Sequence, residues 1–341
     1  MMSPFFQPVR DGAELSRAQI QRAVANLLDE SIALEAKADF LSALHEKGET
    51  AAEIASFVEE LLERAVDPEL HPAQLAGPMI DLCGTGGDRL NLFNISTTSM
   101  FVAAAAGAVV VKHGNRSITS QCGGADVLEE LGVRIDLPPA DFKRCVEKNG
   151  LGFLFAPHYH PAFQSIGPVR KHLAAHGKTS IFNLLGPLLN PARPTFQLTG
   201  IFDPSRLTKY AEVLRLLGRE RAWAVHGSGA DEIVPFGVTD GVEATPQGVE
   251  DFQILTGELK ITPSTLEELR GGDRAANTEI LVGILDGTIT GARRDAVLLN
   301  AAAALVVCGL VPGLASGLEF AEAQLESGAA LKKLHALQHF H

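Results

Sequence analysis

The feature that most constrains this chain is an apolar run ending on a cluster of glycines. Met79-Ile80-Asp81-Leu82-Cys83 leads into Gly84-Thr85-Gly86-Gly87-Asp88, and Phe93-Asn94-Ile95-Ser96-Thr97 then opens an alanine-rich stretch. The pattern predicts a buried strand over Met79–Cys83, a turn, and a helix from about Ser96 to Ala106. Glycine lets backbone approach a ligand more closely than any side chain permits. The free N–H groups and the positive end of the helix dipole would face whatever the loop holds, so phosphate is the expected ligand. Neither the G-x-G-x-x-G nor the G-x-x-x-x-G-K-[ST] spacing fits.

Strands and helices go on alternating after this unit. A strand over Ala108–Val111 precedes Lys112-His113-Gly114-Asn115-Arg116-Ser117, then Thr119, Ser120, Gln121, Cys122, Gly123 and Gly124, with a helix from about Ala125. Two cations, several hydroxyl and amide groups and a glycine pair in one loop exceed what a structural turn needs. After strand Phe153–Phe155 comes His158-Tyr159-His160-Pro161, whose histidines suit the lining of an aromatic pocket better than a metal site. Ser180–Pro191, apolar and punctuated by Gly186-Pro187 and Asn190-Pro191, should wall a cleft or cross between domains. Strand Gln197–Phe202, helix Ser205–Leu217 and strand Ala222–His226 follow, and Asp231-Glu232 stands just beyond Gly227-Ser228-Gly229. Hard oxygen ligands beside a phosphate loop are what magnesium requires. Residues 237–260 read as short antiparallel strands with turns at Thr239-Asp240-Gly241 and Gln247-Gly248. The remainder is helical packing, with Asp295 and Asn300 as polar contacts.

Ahead of the glycine loop, Ser16 to Ala65 reads as amphipathic helices. Ile54, Phe57, Val58, Leu61 and Leu62 share one face of the third, and Thr50 with Glu53 forms its capping box. Proline-bearing residues 65–78 form a linker. The expected fold is α/β: a small all-helical domain (1–70, joined by segments near 165–180) plus a larger domain (78–341) with a mostly parallel sheet flanked by helices. A chain of 341 residues suits two domains, and its net charge of -12 argues against nucleic acid or a membrane surface as partner. The four cysteines lack metal-ligand spacing, and no secretory signal or membrane-length apolar run is present, so the expected location is cytoplasmic.

Together, Gly84–Asp88, Phe93–Thr97, Lys112–Ser117, Ala125-Asp126-Val127-Leu128, Phe182–Leu188 and Asp231-Glu232 occur in the order found in the anthranilate phosphoribosyltransferase family, which the chain resembles from about Leu15 to Ala329. The Lys47-Gly48-Glu49-Thr50 turn belongs to the likeness. The resemblance implies a nucleoside phosphorylase/phosphoribosyltransferase-like fold, a homodimer through the helical part, and Mg2+ as cofactor. It also implies transfer of a phosphoribosyl group from phosphoribosyl pyrophosphate to anthranilate in tryptophan biosynthesis. It gives phosphoribosyl pyrophosphate to Gly84, Thr85, Gly86, Gly87, Asp88, Asn94, Ser96, Thr97, Lys112, Asn115, Arg116, Ser117 and Ser120. It gives the acceptor to Gly84, His113, Asn115, His160, Arg170, Lys178, Thr179, Gly186 and Pro187, and the metal to Ser96, Asp231 and Glu232. No general base is assigned.

The chain departs from the family's pattern at several positions. An arginine usually precedes the threonine of Arg-Thr-Ile-Phe-Asn and meets the acceptor carboxylate; here Thr179 and Ser180 stand there, with Lys178 and Arg170 nearby. Arg89, Leu92, Gln121 and Cys122 also differ from the usual residues. The alternatives are a phosphoribosyltransferase for another aromatic amine or heterocycle, a pyrimidine nucleoside phosphorylase-like enzyme, and a non-catalytic binding paralogue.

Overall fold

A computed structural model describes residues 3–87, 90–117 and 121–340. Helices α1 (Ser3–Arg10), α2 (Arg17–Leu28), α3 (Leu34–Lys47) and α4 (Ala51–Leu62) come first. The sequence reading begins these helices at Ser16; α1 is too short, with Pro8 inside it, to show a helical repeat. Thr50 caps α4 as expected, and Glu53 does more than complete the box. Its buried carboxylate accepts from the Leu15 amide at 2.8 Å and the Thr50 amide at 2.9 Å, and pairs with Lys47 at 2.7 Å. Removing one partner of such a pair strands the other charge. Glu53→Ala is expected to destabilise the protein by about 3–5 kcal/mol, read as a lower urea midpoint.

The sheet contains β1 (Met79–Gly84), β2 (Val109–Gly114), β3 (Leu151–Phe155), β4 (Phe196–Gly200), β5 (Arg221–Gly227), β6 (Val238–Thr245) and β7 (Gly248–Leu255), in the order β3-β2-β1-β4-β5-β6-β7. The first five strands of that order are parallel and β6 and β7 antiparallel. Between and after them run α5 (Ile95–Ala105), α6 (Gly124–Glu130), α7 (Pro139–Asn149), α8 (Ala156–Tyr159), α9 (Phe163–Ala175), α10 (Leu207–Leu216), α11 (Arg274–Leu285), α12 (Ala292–Val307), α13 (Leu314–Glu326) and α14 (Ala329–Gln338). A small helical domain and a larger α/β domain result.

Alternation along each strand sorts side chains between the two faces. On β5, Trp223 and Val225 enter a core with α5, α12 and α14, while Ala222 and Ala224 enter a second core with α10 and the helical domain. The helices of the smaller domain thus continue onto the second face of the sheet, and α9 packs against α2 and α3.

Two local expectations are corrected. Thr239-Asp240-Gly241 is not a turn but the middle of β6, because a Cβ on Gly241 would overlap the Phe252 ring across the strand pair. Glycine inside a strand marks close approach as readily as a bend. Lys112, His113 and Gly114 belong to β2, paired with Phe153, Leu154 and Phe155 of β3.

Candidate active site

In open α/β sheets, ligands bind beyond the carboxyl ends of the strands where the strand order reverses. Here that point lies between β1 and β4, where Gly84 and Gly200 stand opposite each other. Asp231 lies across both: a Cβ on Gly84 would overlap its carboxylate, and a Cβ on Gly200 its backbone carbonyl. Gly200 was not among the expected site residues; the only local sign of it is a glycine closing a short strand. The Gly86 amide donates to Asp231 Oδ2 at 2.7 Å, and the Ser96 amide to Glu232 Oε1 at 3.3 Å. The glycine loop, the start of α5 and the carboxylate pair therefore form one surface.

Lys112, buried, reaches beneath that surface. Its Nζ donates to Ser96 Oγ at 3.1 Å and to the Leu82 carbonyl. Thr85 ties the loop to β4: its amide donates to the Gly200 carbonyl at 2.9 Å, and its hydroxyl accepts from the Phe202 amide at 3.1 Å. Thr97, at the start of α5, faces Gly124. Asn300 of α12 grips the Ile233 peptide at both ends, accepting from its N–H at 3.2 Å and donating to its carbonyl at 2.7 Å. It is a polar contact, as expected, but one that sets the backbone next to both carboxylates.

Two carboxylates in reach of loop amides fit a magnesium ion held by one or two protein carboxylates and completed by substrate oxygens and water. Among the described residues, no group of three or more His, Cys, Asp or Glu could hold an ion. Substrate oxygens would have to finish the coordination.

The second loop folds back on itself. Asn115 Oδ1 accepts from the Arg116 amide at 2.8 Å, and the Ser117 amide donates to Asp126 Oδ2 at 3.0 Å. The Arg116 guanidinium forks onto Glu129 at 3.0 and 2.5 Å and lies 4.9 Å from the centre of the Phe155 ring. Asn94 is the N-cap residue of α5 but its side chain makes no capping bond; its amide nitrogen donates to the Cys122 carbonyl at 3.2 Å, joining the two loops. Asp88 and Ser120 lie outside the described residues.

A row of aromatic rings starts at the end of β2. The His113 ring meets His160 edge-on at 5.2 Å, His160 stacks on Phe163 at 5.1 Å, and Phe163 meets Phe182 edge-on at 5.9 Å. His160 Nε2 donates to the Leu189 carbonyl at 2.8 Å. Burial pushes the His113 imidazole down to about 3, so it is neutral near pH 7, and its Nε2 has no hydrogen-bond partner among the described residues. His158 faces elsewhere, edge-on to Phe155 at 5.2 Å, so it does not join His160.

Arg170 stands seven positions after Phe163 on α9, which sets them on one helix face with Gly167 between. Gly167 is exposed, and among the described residues no atom outside the helix lies within 4 Å of where its side chain would begin, so that face is open. Arg170 is open to solvent yet crowded enough by protein for desolvation to lower its pKa, the combination expected of a cleft wall. It has no ion-pair or hydrogen-bond partner among the described residues. Thr179, where the resemblance implies an arginine, makes another contact: its Oγ1 lies 2.8 Å from His45 Nε2, and His45 Nδ1 lies 3.2 Å from Glu49. Lys178 is exposed.

Behind Gly186-Pro187 lies a buried polar layer that the sequence reading missed. Gln197 Nε2 donates to the Pro187 carbonyl at 2.7 Å, and Arg219 donates to Gln197 Oε1 at 2.9 Å. Burial lifts the Asp81 carboxyl to about 6, although Asn190 Nδ2 at 2.9 Å and the His113 amide at 3.3 Å both donate to it. The available signal was a charged or amide side chain inside an apolar strand.

Comparison with known proteins places this arrangement. The helical bundle domain of a glycosyl transferase family matches residues 3–65, and the a/b domain of that family matches residues 76–331. The chain is 44% identical over 339 residues to the anthranilate phosphoribosyltransferase of Roseiflexus castenholzii, covering 97% of each. It is 39% identical to that of Natronomonas pharaonis, covering 99% of each. The crystal structure of the Thermus thermophilus enzyme superposes with a TM-score of 0.89 at 36% identity, covering 98% of both chains. The Saccharomyces cerevisiae enzyme, determined in complex with PRPP and Mg, shares the fold at a TM-score of 0.87 and 24% identity, covering 98% of this chain and 96% of that one. On its sequence along nearly the whole length, and on its fold, the chain belongs to the anthranilate phosphoribosyltransferase family.

Proposed function

We propose that this protein transfers the phosphoribosyl group of phosphoribosyl pyrophosphate to anthranilate, releasing pyrophosphate, as a step of tryptophan biosynthesis. The observation that carries the reading is the seating of Asp231 and Glu232 on the amides of Gly86 and Ser96, together with the row of rings from His113 to Phe163 and Arg170, which has no partner among the described residues. A polyanion and an aromatic acid each find complementary chemistry there.

In this reading the loop amides from Gly84 to Gly87, with Ser96, Thr97 and Lys112, hold the pyrophosphate, and Asn115, Arg116 and Ser117 close over the ribose phosphate. Asp88 and Ser120 belong to the same proposal. Asp231, Glu232 and Ser96 would hold Mg2+, which supplies charge neutralisation of the leaving group. The amine nitrogen bonds to ribose C1 as the C1–pyrophosphate bond breaks, and the amine proton leaves afterwards. Charge builds on the pyrophosphate in that transition state, where preorganised donors act most strongly. His113, His160, Gly186 and Pro187 would hold the anthranilate ring, with neutral His113 avoiding a second cation beside the amine.

Arg170 takes the anthranilate carboxylate, a pairing for which a planar guanidinium is suited. Thr179, bound to His45, serves instead to fasten the segment that follows α9 to α3, and Lys178 is a second, exposed cation nearby. The chain divides into a helical domain (1–70 with segments near 165–180) and an α/β domain (78–341). It works as a cytoplasmic homodimer joined through the helical part.

The test is loss of anthranilate fluorescence on mixing with phosphoribosyl pyrophosphate and Mg2+. Turnover is expected, and none at millimolar substrate removes the reading. Arg170→Gln is expected to raise the KM for anthranilate about tenfold or more, the loss of one charge-assisted pair, while leaving the KM for phosphoribosyl pyrophosphate near its original value.

A further inference from the structure

The first turn of α11, almost two hundred residues from the glycine loop, touches both phosphate loops at once. Asn277, buried, donates from Nδ2 to Asn94 Oδ1 at 3.0 Å, while its Oδ1 accepts from the Gly272 amide at 2.9 Å. The Cys122 thiol of the second loop also lies within hydrogen-bonding reach of its side chain. Three residues earlier, and so on the same side of the helix, Arg274 meets Asp126 at 2.5 Å. Asp126 is the hub of the second loop, since its other oxygen accepts from the amides of Ser117 at 3.0 Å and Gly123 at 2.8 Å.

The strap leading into α11 is fixed as firmly. The Phe93 amide donates to the Leu269 carbonyl at 3.1 Å, and the Gly271 amide to the Asn91 carbonyl at 2.8 Å. A side chain on Gly271 would collide with Asn277 and with the Phe93 backbone. The strap therefore lies directly against the residues entering α5.

We propose that Asn277 and Arg274 are positioning residues for phosphoribosyl pyrophosphate, holding the two phosphate loops at a fixed separation through Asn94 and Asp126. The inference rests on the assignment of those loops to this substrate. Neither residue touches the reacting atoms. Each loop alone could shift relative to the other; the shared anchor couples them, so the donors meet a pyrophosphate without reorganising.

The decisive variant is Asn277→Asp, which keeps an acceptor for the Gly272 amide and loses the donor to Asn94. It is expected to raise the KM for phosphoribosyl pyrophosphate about tenfold with the KM for anthranilate within about twofold. Arg274→Gln, at a half-exposed side chain that tolerates replacement, should do the same. Hydrogen exchange without substrate separates this from the activity: the Ser117 and Gly123 amides should exchange faster in Arg274→Gln whatever the protein's substrate is. Unchanged exchange, a fully active Asn277→Asp, or equal rises in both KM values would overturn the proposal. Absence of turnover in the unmodified protein with the exchange result intact would instead overturn the substrate assignment and leave the coupling standing.

Discussion

Replacing Asp231 by Asn together with Glu232 by Gln is expected to lower turnover about a hundredfold or more and to raise the Mg2+ concentration needed for half-maximal rate. Both replacements keep size and an acceptor oxygen, so the hydrogen bonds from Gly86 and Ser96 survive. What is removed is negative charge at the mouth of β1 and β4. Rates measured across a Mg2+ titration check this. An unchanged dependence on Mg2+ would remove the pair as ligands, while a lower rate with an unchanged midpoint would assign them to loop support alone.

Gly200→Ala is expected to be as damaging without touching any charge. The added methyl would overlap the Asp231 carbonyl, which is backbone and cannot swing aside as a side chain would. The turn from Gly227 to Asp231 has to lift, carrying both carboxylates with it. Overpacking of this kind costs about 1–3 kcal/mol of stability, and a displacement near 1 Å at reacting groups costs about a hundredfold in rate. Gly257→Ala is the control, because no atom lies within 4 Å of that position. Thermal melts and rates of the two variants separate the effects: a Gly200→Ala protein of normal rate would show that the turn is not held against the strand.

The parts of the molecule readable in the sequence are those whose physics is local. The Thr50–Glu53 box, the apolar strands, and the glycine loop feeding α5 each declare themselves within a few residues. The position of Asp231-Glu232 after a strand end likewise followed from the order of elements. Residues whose work is done across the fold did not declare themselves. Asn277 and Asn300 look like ordinary polar positions in helices, and Gln197 like an interruption of a strand, until their partners at Asn94, Ile233 and Pro187 are known. Gly241 was misread for the same reason, since the Phe252 ring that requires it is on another strand. At Thr179 a local motif drew attention to a missing arginine. Arg170, named beside it only for its nearness in sequence, stands on the face of α9 shared with Phe163 and has no partner among the described residues.

The contacts of α11 with the glycine loop and with the loop after β2 also bear on how the chain folds. The bonds Asn277–Asn94, Arg274–Asp126, Gly86–Asp231 and Ser96–Glu232 span 183, 148, 145 and 136 residues. Closures of that length form late, after local helices and neighbouring strands have reduced the search. During synthesis the tie between the two loops through α11 therefore waits until that helix has emerged and docked, and a fragment ending before Arg274 would keep the bonds of Gly86 to Asp231 and of Ser96 to Glu232 but lack the anchor that Asn277 and Arg274 supply.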